Sequence, residues 1–239
     1  MKCNQEIRII TEYSSFSDRV EEINSSTSFD DVKHCVSQIK KALYTNKDCV
    51  AICAPQIGYN LRLFVVKTSK EEADRFKVFL NPMIVNSKGL HMSREASISF
   101  PNKQYIIPRK NELHLAYQTI DGKVESNSYI GAFAEVIQQM VEMLDGITLP
   151  DYGLDLDDVG GADAFDKASN KNKAELIALY LDSLKDFSNE LSEEIENNPE
   201  LKYMSDVIKF NTGVLKGDIE IIEKPKPVNS NTDEVSDAI

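Results

Sequence analysis

Tryptophan is absent from this chain of 239 residues, and cysteine and histidine are scarce, with four and three residues. Cys3, Cys35, Cys49 and Cys53 are irregularly spaced, which argues against a disulfide framework and indicates reduced thiols. No histidine lies near Cys49 and Cys53 in the sequence, so a Cys/His zinc site is not expected. The chain therefore has few of the side chains that usually hold a transition metal.

Basic residues are also few relative to acidic ones. Lysine and arginine total 27 against 39 aspartates and glutamates, which gives a net charge of -12 at pH 7. This balance argues against nucleic acid and anionic membranes as partners, because both require a basic face. No apolar run approaches the roughly 18–20 residues of a membrane-spanning helix. The first ten residues lack the apolar stretch of a secretion signal, so a cytoplasmic location is expected.

Hydrophobic periodicity predicts both helices and strands up to residue 150. One helix is expected at residues 26–46, with Ser28 or Asp30 as its cap, and a second at residues 129–144. An Asp-Gly pair predicts a hairpin turn at residues 119–123. The strand-like segments are residues 6–11, 49–54, 61–66, 78–85, 98–99, 105–108 and 112–118.

The composition changes after residue 150. Residues 151–171 are rich in Asp, Gly and Ala and predict an acidic linker, and residues 172–223 carry the pattern of a helical extension. Residues 224–239 have almost no core-forming side chains and predict a disordered tail. The expected organisation is therefore a domain at residues 1–150 followed by these three segments. The apolar stripe of the extension is expected either to bind a partner or to pack on the domain.

Three motifs follow one another in the first domain. They read CVAICAPQIG at residues 49–58, EASISFP at residues 95–101, and VIQQMVEMLDG at residues 136–146. In order and spacing they resemble the motifs of peptide deformylases, which remove the formyl group from N-terminal formyl-methionine with a metal held by one Cys and two His. The resemblance covers residues 7–150. It implies an α+β fold with mixed or antiparallel sheets around a central helix.

The resemblance also identifies the positions of the family's metal site. Ser97 stands at the ligand cysteine, Gln139 and Met143 stand at the two histidines, and Met140 stands at the catalytic glutamate. A hydroxyl, an amide and a thioether are weak ligands for the iron or zinc of a hydrolase. The expectation from these four residues is a chain with no catalytic residue, no metal and no cofactor, which is not an enzyme.

Other positions of the family's site retain their usual residues. Gln56 and the N–H of Ile98 correspond to groups that polarise the formyl oxygen in the family. Glu95 and Arg109 correspond to a buried acid–arginine pair that braces the pocket, and a structural role is expected for them. With the four substituted positions, they predict a vestigial pocket.

Alternative sites have weaker support. His91 with Glu95 is the one pair that could contribute to a replacement metal site, but too few ligands accompany it. Residues 155–166 resemble a calcium loop, although an acidic solvated linker is favoured. Cys49 or Cys53 as a nucleophile lacks a basic neighbour that would lower its pKa, so buried thiols are favoured.

The function expected from the sequence is therefore a binding, structural or assembly module that engages other proteins through its C-terminal helices. Because deformylase genes also occur in phages, one version of this expectation is a component of a phage particle, located in the virion. Two alternatives stay open. One is a residual or altered metal-dependent deformylase, and the other is a pseudoenzyme that binds formyl-methionyl peptides without turnover.

Overall fold

The computed structural model describes residues 7–68 and 75–180. Within them, a six-stranded antiparallel sheet carries helices on both faces. The strand order is β1-β2-β3-β4-β5, and β6 pairs with β4. The elements are α1 (Phe29–Thr45), β1 (Ala51–Cys53), β2 (Leu63–Lys67), β3 (Phe76–Ser97), β4 (Phe100–Gln118), β5 (Val124–Ile130), α2 (Gly131–Leu144), α3 (Leu149–Tyr152), β6 (Leu154–Asp155) and α4 (Ala162–Lys167). The predicted α+β fold is confirmed, with the antiparallel alternative.

Helix α1 covers one face of the sheet. It begins at Phe29, after the predicted start at residue 26, and its cap is Ser28, one of the two predicted caps. The Ser28 side chain accepts a hydrogen bond from the Asp31 N–H and so satisfies a donor of the first turn. Its buried side chains recur at helical spacing and pack against Ile52 and Leu63 of β1 and β2. The buried residues of the helix are Val32, Cys35, Val36, Ile39, Ala42 and Leu43.

Helix α2 lies on the opposite face, where Ile137 and Met140 pack against the aromatic side chains of β2 and β3. It begins at Gly131, so the predicted start at residue 129 is wrong. Tyr129 pairs with Leu113 as part of β5. Gly131 has φ +59°, a conformation that glycine adopts without steric cost, and the chain turns from strand to helix there.

The long hairpin of β3 and β4 replaces the four short strands predicted for residues 78–118. Residues 98–99, predicted as a strand, form the turn between the two. Polar runs in the exposed half of the hairpin lack the alternation that marks a half-buried strand, so periodicity did not reveal its length. The turn at residues 119–123 is confirmed, with the Gly122 N–H donating to the Thr119 C=O (2.9 Å).

The acidic segment after residue 150 packs against this hairpin. It contains α3, β6 and α4, and it buries Tyr152, Leu156 and Phe165. Strand β6 pairs with residues 105 and 106 of β4. Three apolar side chains spaced along a polar sequence are enough to attach this segment to the sheet, although its composition predicts a solvated linker.

The helical extension is described only at its beginning. Residues 170–180 are helical. Leu176, Ile177 and Tyr180 of this helix pack in the hydrophobic clusters of the domain. These three residues therefore belong to the packed surface of the domain. The rest of the predicted extension and the tail at residues 224–239 lie outside the described residues, and the proposed domain boundaries stay a prediction. No helix among the described residues is long and apolar enough to cross a membrane.

Candidate functional site

A pocket of about 330 Å³ opens beside α2, at the junction of the three motifs. It brings together residues from the first motif, the β3–β4 turn and the helix. Gln56, Ser97, Ile98, Gln139 and Met140 of the predicted site all line it. The remaining lining residues are Asn46, Lys47, Asp48, Cys49, Val50, Ala51 and Ala96.

Gln56 is fixed in one orientation although it lies at the wall of this pocket. It is 1% exposed, and its Oε1 accepts hydrogen bonds from the Cys53 N–H (3.0 Å) and the Cys53 thiol (3.4 Å). Its Nε2 is therefore the donor that faces Ser97 Oγ (3.3 Å) and Ser99 Oγ (3.2 Å). The extended residues 7–12 support it from behind, since the Ile10 N–H donates to the Gln56 C=O (2.8 Å).

The side chains at the family's metal positions differ in their surroundings. Gln139 is half-buried and donates from Nε2 to the Ala96 C=O (3.2 Å), which joins α2 to the end of β3. Met140 and Met143 are 2% and 1% exposed and pack within the core cluster. Met143 thus belongs to the core, while Gln139 belongs to the pocket.

These residues do not fit the iron or zinc of a hydrolase. Gln139 uses its amide for a backbone contact, Met143 offers a buried thioether, and Ser97 Oγ accepts hydrogen bonds from Gln56 and from the Ser99 N–H (3.3 Å). Hydrolytic metals are held by imidazole, thiolate or carboxylate groups. Among residues 7–68 and 75–180, no group of three His, Cys, Asp or Glu side chains is placed to hold a metal. No reaction step through a metal follows from this donor set.

Glu95 and Arg109 form the predicted pair, and it is part of a larger buried network. Arg109 is fully buried and donates to both oxygens of Glu95 (2.6 and 2.8 Å) and to both oxygens of Glu142 (2.7 and 2.8 Å). Tyr152 accepts from Arg109 (2.7 Å) and donates to Glu142 (2.5 Å). The network joins β3, β4, α2 and α3.

Two opposing effects act on the charges of this network. Burial disfavours the charged guanidinium of Arg109, but Glu142 and Glu95 outweigh it and raise its pKa well above the ordinary value. Burial raises the pKa of Glu142, while Arg109 and Tyr152 stabilise its carboxylate. Two carboxylates against one guanidinium make the arginine indispensable, because without it both acids would be buried unpaired.

His91 pairs with a different acid from the one considered for a replacement metal site. Its Nε2 lies 2.7 Å from Glu135 Oε1, and the Ser93 hydroxyl donates to Glu135 Oε2 (2.7 Å), whereas Glu95 pairs with Arg109. Glu135 and Glu142 are seven residues apart and share the buried face of α2 with Gln138. That spacing could have been recognised in the sequence. Their partners on β3 and β4 could not, because they come from a register that the sequence does not reveal.

The other predicted alternatives have structural partners. Asp155 and Asp157, in the calcium-like segment, both bind the ammonium of Lys103 (2.9 and 2.6 Å). Cys35, Cys49 and Cys53 are free thiols, and burial raises the pKa of each. Raised thiol pKa values argue against a nucleophilic role for them.

A family model described as polypeptide deformylase matches residues 8–158, which include all three motifs. The chain belongs to the polypeptide deformylase family. Two relatives named peptide deformylase come from Karelsulcia muelleri (29% identity over 126 residues) and Desulfotalea psychrophila (31% over 105 residues). The matches cover 52% and 43% of this chain and 66% and 62% of the relatives. The chain thus spans slightly less than two-thirds of the length of these deformylases.

Solved structures of deformylases have the same fold. A probable peptide deformylase from Synechococcus phage S-SSM7 aligns with a TM-score of 0.56 and 25% identity, over 62% of this chain and 99% of that one. A peptide deformylase from Synechococcus elongatus in complex with actinonin aligns with a TM-score of 0.58 and 20% identity, over 66% and 91%. The predicted family is confirmed.

The prediction that the chain is not an enzyme is contradicted by these comparisons. The curated relatives are peptide deformylases, which are enzymes, and the family model spans the whole segment that carries the pocket. The substitutions at the family's metal positions remove one way of holding a metal, but they do not establish inactivity. The substituted residues are Ser97, Gln139, Met140 and Met143.

Proposed function

We propose that the pocket binds the N-terminal end of a peptide whose amino group carries a formyl group. The substrate class comes from the name shared by the relatives, peptide deformylase. The observation that carries the proposal is the Ser97 hydroxyl, which lines the pocket and whose oxygen accepts a hydrogen bond from the fixed NH₂ group of Gln56 (3.3 Å).

Ser97 is the donor that stays available beside Gln56, because both N–H groups of the Gln56 amide are already donated, to Ser97 and Ser99. Its oxygen accepts from Gln56 Nε2 and from the Ser99 N–H, both at 3.3 Å. With these two acceptor interactions made, the hydroxyl hydrogen is available to donate to a ligand in the pocket that Ser97 lines. This preorganised hydroxyl matches the oxygen of a formyl group, which is a hydrogen-bond acceptor.

The same donor discriminates between a formylated and a free N-terminus. A free amino group is a cation at neutral pH and offers only donors, so it would oppose the hydroxyl donor of Ser97. The volume of about 330 Å³ suits a small group such as a formylated terminal residue. The pocket therefore favours the neutral acylated terminus.

Hydrolysis of the bound peptide is a second candidate, supported by the enzymatic relatives. The residues at the family's metal positions do not fit that metal, so the contribution derived from this chain is binding and orientation of the formyl oxygen. Partner binding through the C-terminal helices also remains a proposal. Among the described residues of the extension, Leu176, Ile177 and Tyr180 pack on the domain, whereas Leu179 is exposed.

Calorimetric titration of the full chain with formyl-Met-Ala-Ser and with unformylated Met-Ala-Ser tests the proposal. We expect the formylated peptide to bind about tenfold more tightly, because the Ser97 donor loses its acceptor in the free peptide. Formate release measured in the same samples tests the second candidate. Equal affinities, or no binding of either peptide at millimolar concentration, would overturn the proposal.

Substitutions in the pocket test where the formyl group binds. Gln56→Leu and Ser97→Ala should each reduce the preference for the formylated peptide, while Ser37→Ala, at an exposed position of α1, should leave it unchanged. Thermal unfolding of each variant identifies any that lose the fold. A formyl preference that survives both pocket variants in folded protein would show that the formyl group binds elsewhere.

A further inference from the structure

Strand β1 is an edge strand that borders the pocket. It pairs with β2 alone among the described strands, and Val50 and Ala51 line the pocket. The Val50 C=O accepts from the Lys67 N–H (2.8 Å) and so points towards β2. In an antiparallel pair successive residues alternate in direction, so Ala51 and Cys53 direct their backbone groups to the free edge.

Two side chains of the chain itself occupy this free edge. The Cys49 thiol donates to the Ala51 C=O (3.1 Å), and Gln56 Oε1 accepts from the Cys53 N–H (3.0 Å). The bond to Gln56 is an ordinary N–H···O bond. The bond from Cys49 is weaker, because a thiol is a poor donor. The edge is therefore capped firmly at Cys53 and weakly at Ala51.

Cys49 has the properties of a displaceable cap. Its side chain lines the pocket and is half-buried. Burial raises the pKa of its thiol above the ordinary value, so the thiol keeps its proton at neutral pH and can donate it to Ala51. An extended peptide that adds to a sheet edge donates main-chain N–H groups to the outward carbonyls of that edge. At Ala51 such an N–H would compete with the thiol.

We propose that Cys49 sets the affinity of the pocket for peptides by masking the Ala51 carbonyl, and that a main-chain N–H of the peptide displaces its thiol. This inference rests on the proposed function, since it concerns how the same peptide is held. It assigns to Cys49 a positioning role in binding. The exchange involves hydrogen bonds only, and no covalent bond forms or breaks.

Three variants separate the hydrogen bond of Cys49 from its bulk. Cys49→Ala removes the thiol and creates space, Cys49→Val removes the donor while retaining bulk, and Cys49→Ser replaces a weak donor by a stronger one. If the thiol masks the carbonyl, formyl-Met-Ala-Ser should bind about three- to tenfold more tightly to the Ala and Val variants and more weakly to the Ser variant. Thermal unfolding checks that each variant is folded.

Peptides methylated at one backbone nitrogen at a time provide a second readout. The peptide that lacks the N–H bound by Ala51 should bind the wild type and Cys49→Ala equally, because it has no donor to exploit the unmasked carbonyl. All other members should keep the preference for the Ala variant.

The outcomes distinguish this inference from the proposed function. If no variant binds the formylated peptide, the proposed function fails. If all variants bind it with the same affinity, the peptide does bind and only the role of Cys49 is wrong. If Cys49→Val binds more weakly than the wild type while Cys49→Ala binds more tightly, side-chain bulk controls affinity and the masking by a hydrogen bond is refuted.

Discussion

The buried acids of α2 and the α2 residues at the pocket differ in their surroundings. Glu135, Gln138 and Glu142, here called the ionic face, are all buried and are held by charged and polar partners on β3 and β4. Gln139 and Met140 line the pocket, to which α2 contributes no charged side chain. A single helix thus carries both a buried charged network and an uncharged part of the pocket wall.

This difference separates the side chains of α2 that support the fold from those that can contact a ligand. The buried ionic face cannot lose one partner without leaving another charge unpaired in the interior. The pocket wall has no such constraint, because its polar groups can contact a ligand or water. Changes at the ionic face should therefore affect stability, and changes at the pocket should affect binding.

The largest expected effect is on stability, at the ionic face. Arg109→Met should lower the free energy of unfolding by about 3–5 kcal/mol, because Glu95 and Glu142 would remain buried without their cation. Arg94→Met breaks an exposed pair with Asp166 (2.7 Å) and should cost at most about 1 kcal/mol. Chemical denaturation of both variants checks this contrast. Equal losses would mean that the buried network is not a special determinant of stability.

The next effect concerns the pocket side, where restoring the family's ligands should restore metal affinity. The variant Ser97→Cys/Gln139→His/Met143→His replaces a hydroxyl, an amide and a thioether by thiolate and imidazole groups. We expect zinc to bind it roughly a hundredfold more tightly than the wild type or more, given the strength of these ligands. Competition with a zinc indicator measures the ratio. An unchanged zinc affinity would show that the three positions do not converge in this chain.

A smaller loss is expected at the second buried acid of the ionic face. His91→Phe should reduce stability by about 1–3 kcal/mol, because Glu135 loses its imidazole partner and keeps only its other contacts. His34→Phe, on the exposed side of α1, is the matched control and should be close to neutral. Thermal unfolding compares them. If both histidines tolerate phenylalanine equally, the His91–Glu135 contact adds little.

The smallest expected effect is on how the free energy of unfolding decreases at acid pH. Although burial opposes it, Lys103 and the Asp157 N–H lower the pKa of Asp155 below its ordinary value. A carboxyl group with a lowered folded-state pKa contributes stability that is present above its unfolded pKa and is lost as the pH falls through the folded pKa. Lys103→Met should therefore remove part of the stability above pH 3.8 and flatten the acid limb. Identical pH profiles of denaturation would contradict this.

The sequence predicted the residues that line the pocket better than the buried contacts that hold the pocket in place. Gln56, Ser97, Ile98 and Gln139 line one pocket, because each of the three motifs places a short segment at the same junction. Met143 was expected at this site but packs in the core, since helical spacing alone does not say how far a side chain lies from the opening.

The contacts that the sequence did not predict join segments that are distant along the chain. Glu142 and Glu135 were not predicted to be paired, because their partners Arg109 and His91 are brought to α2 by the register of the β3–β4 hairpin. The packing of residues 151–171 was missed for a related reason. A few apolar residues in an acidic segment become informative only when the surface that receives them is known.

The central claim is that the formyl group is bound at Gln56 and Ser97 while the ionic network stays a passive support. Resonances of the Gln56 side-chain amide, the Ile98 amide and the Arg109 Nε–H can be followed by nuclear magnetic resonance during titration with formyl-Met-Ala-Ser. We predict that the Gln56 and Ile98 signals shift with a common dissociation constant and that the Arg109 signal does not. Saturating peptide that leaves the Gln56 and Ile98 signals unchanged would contradict the account.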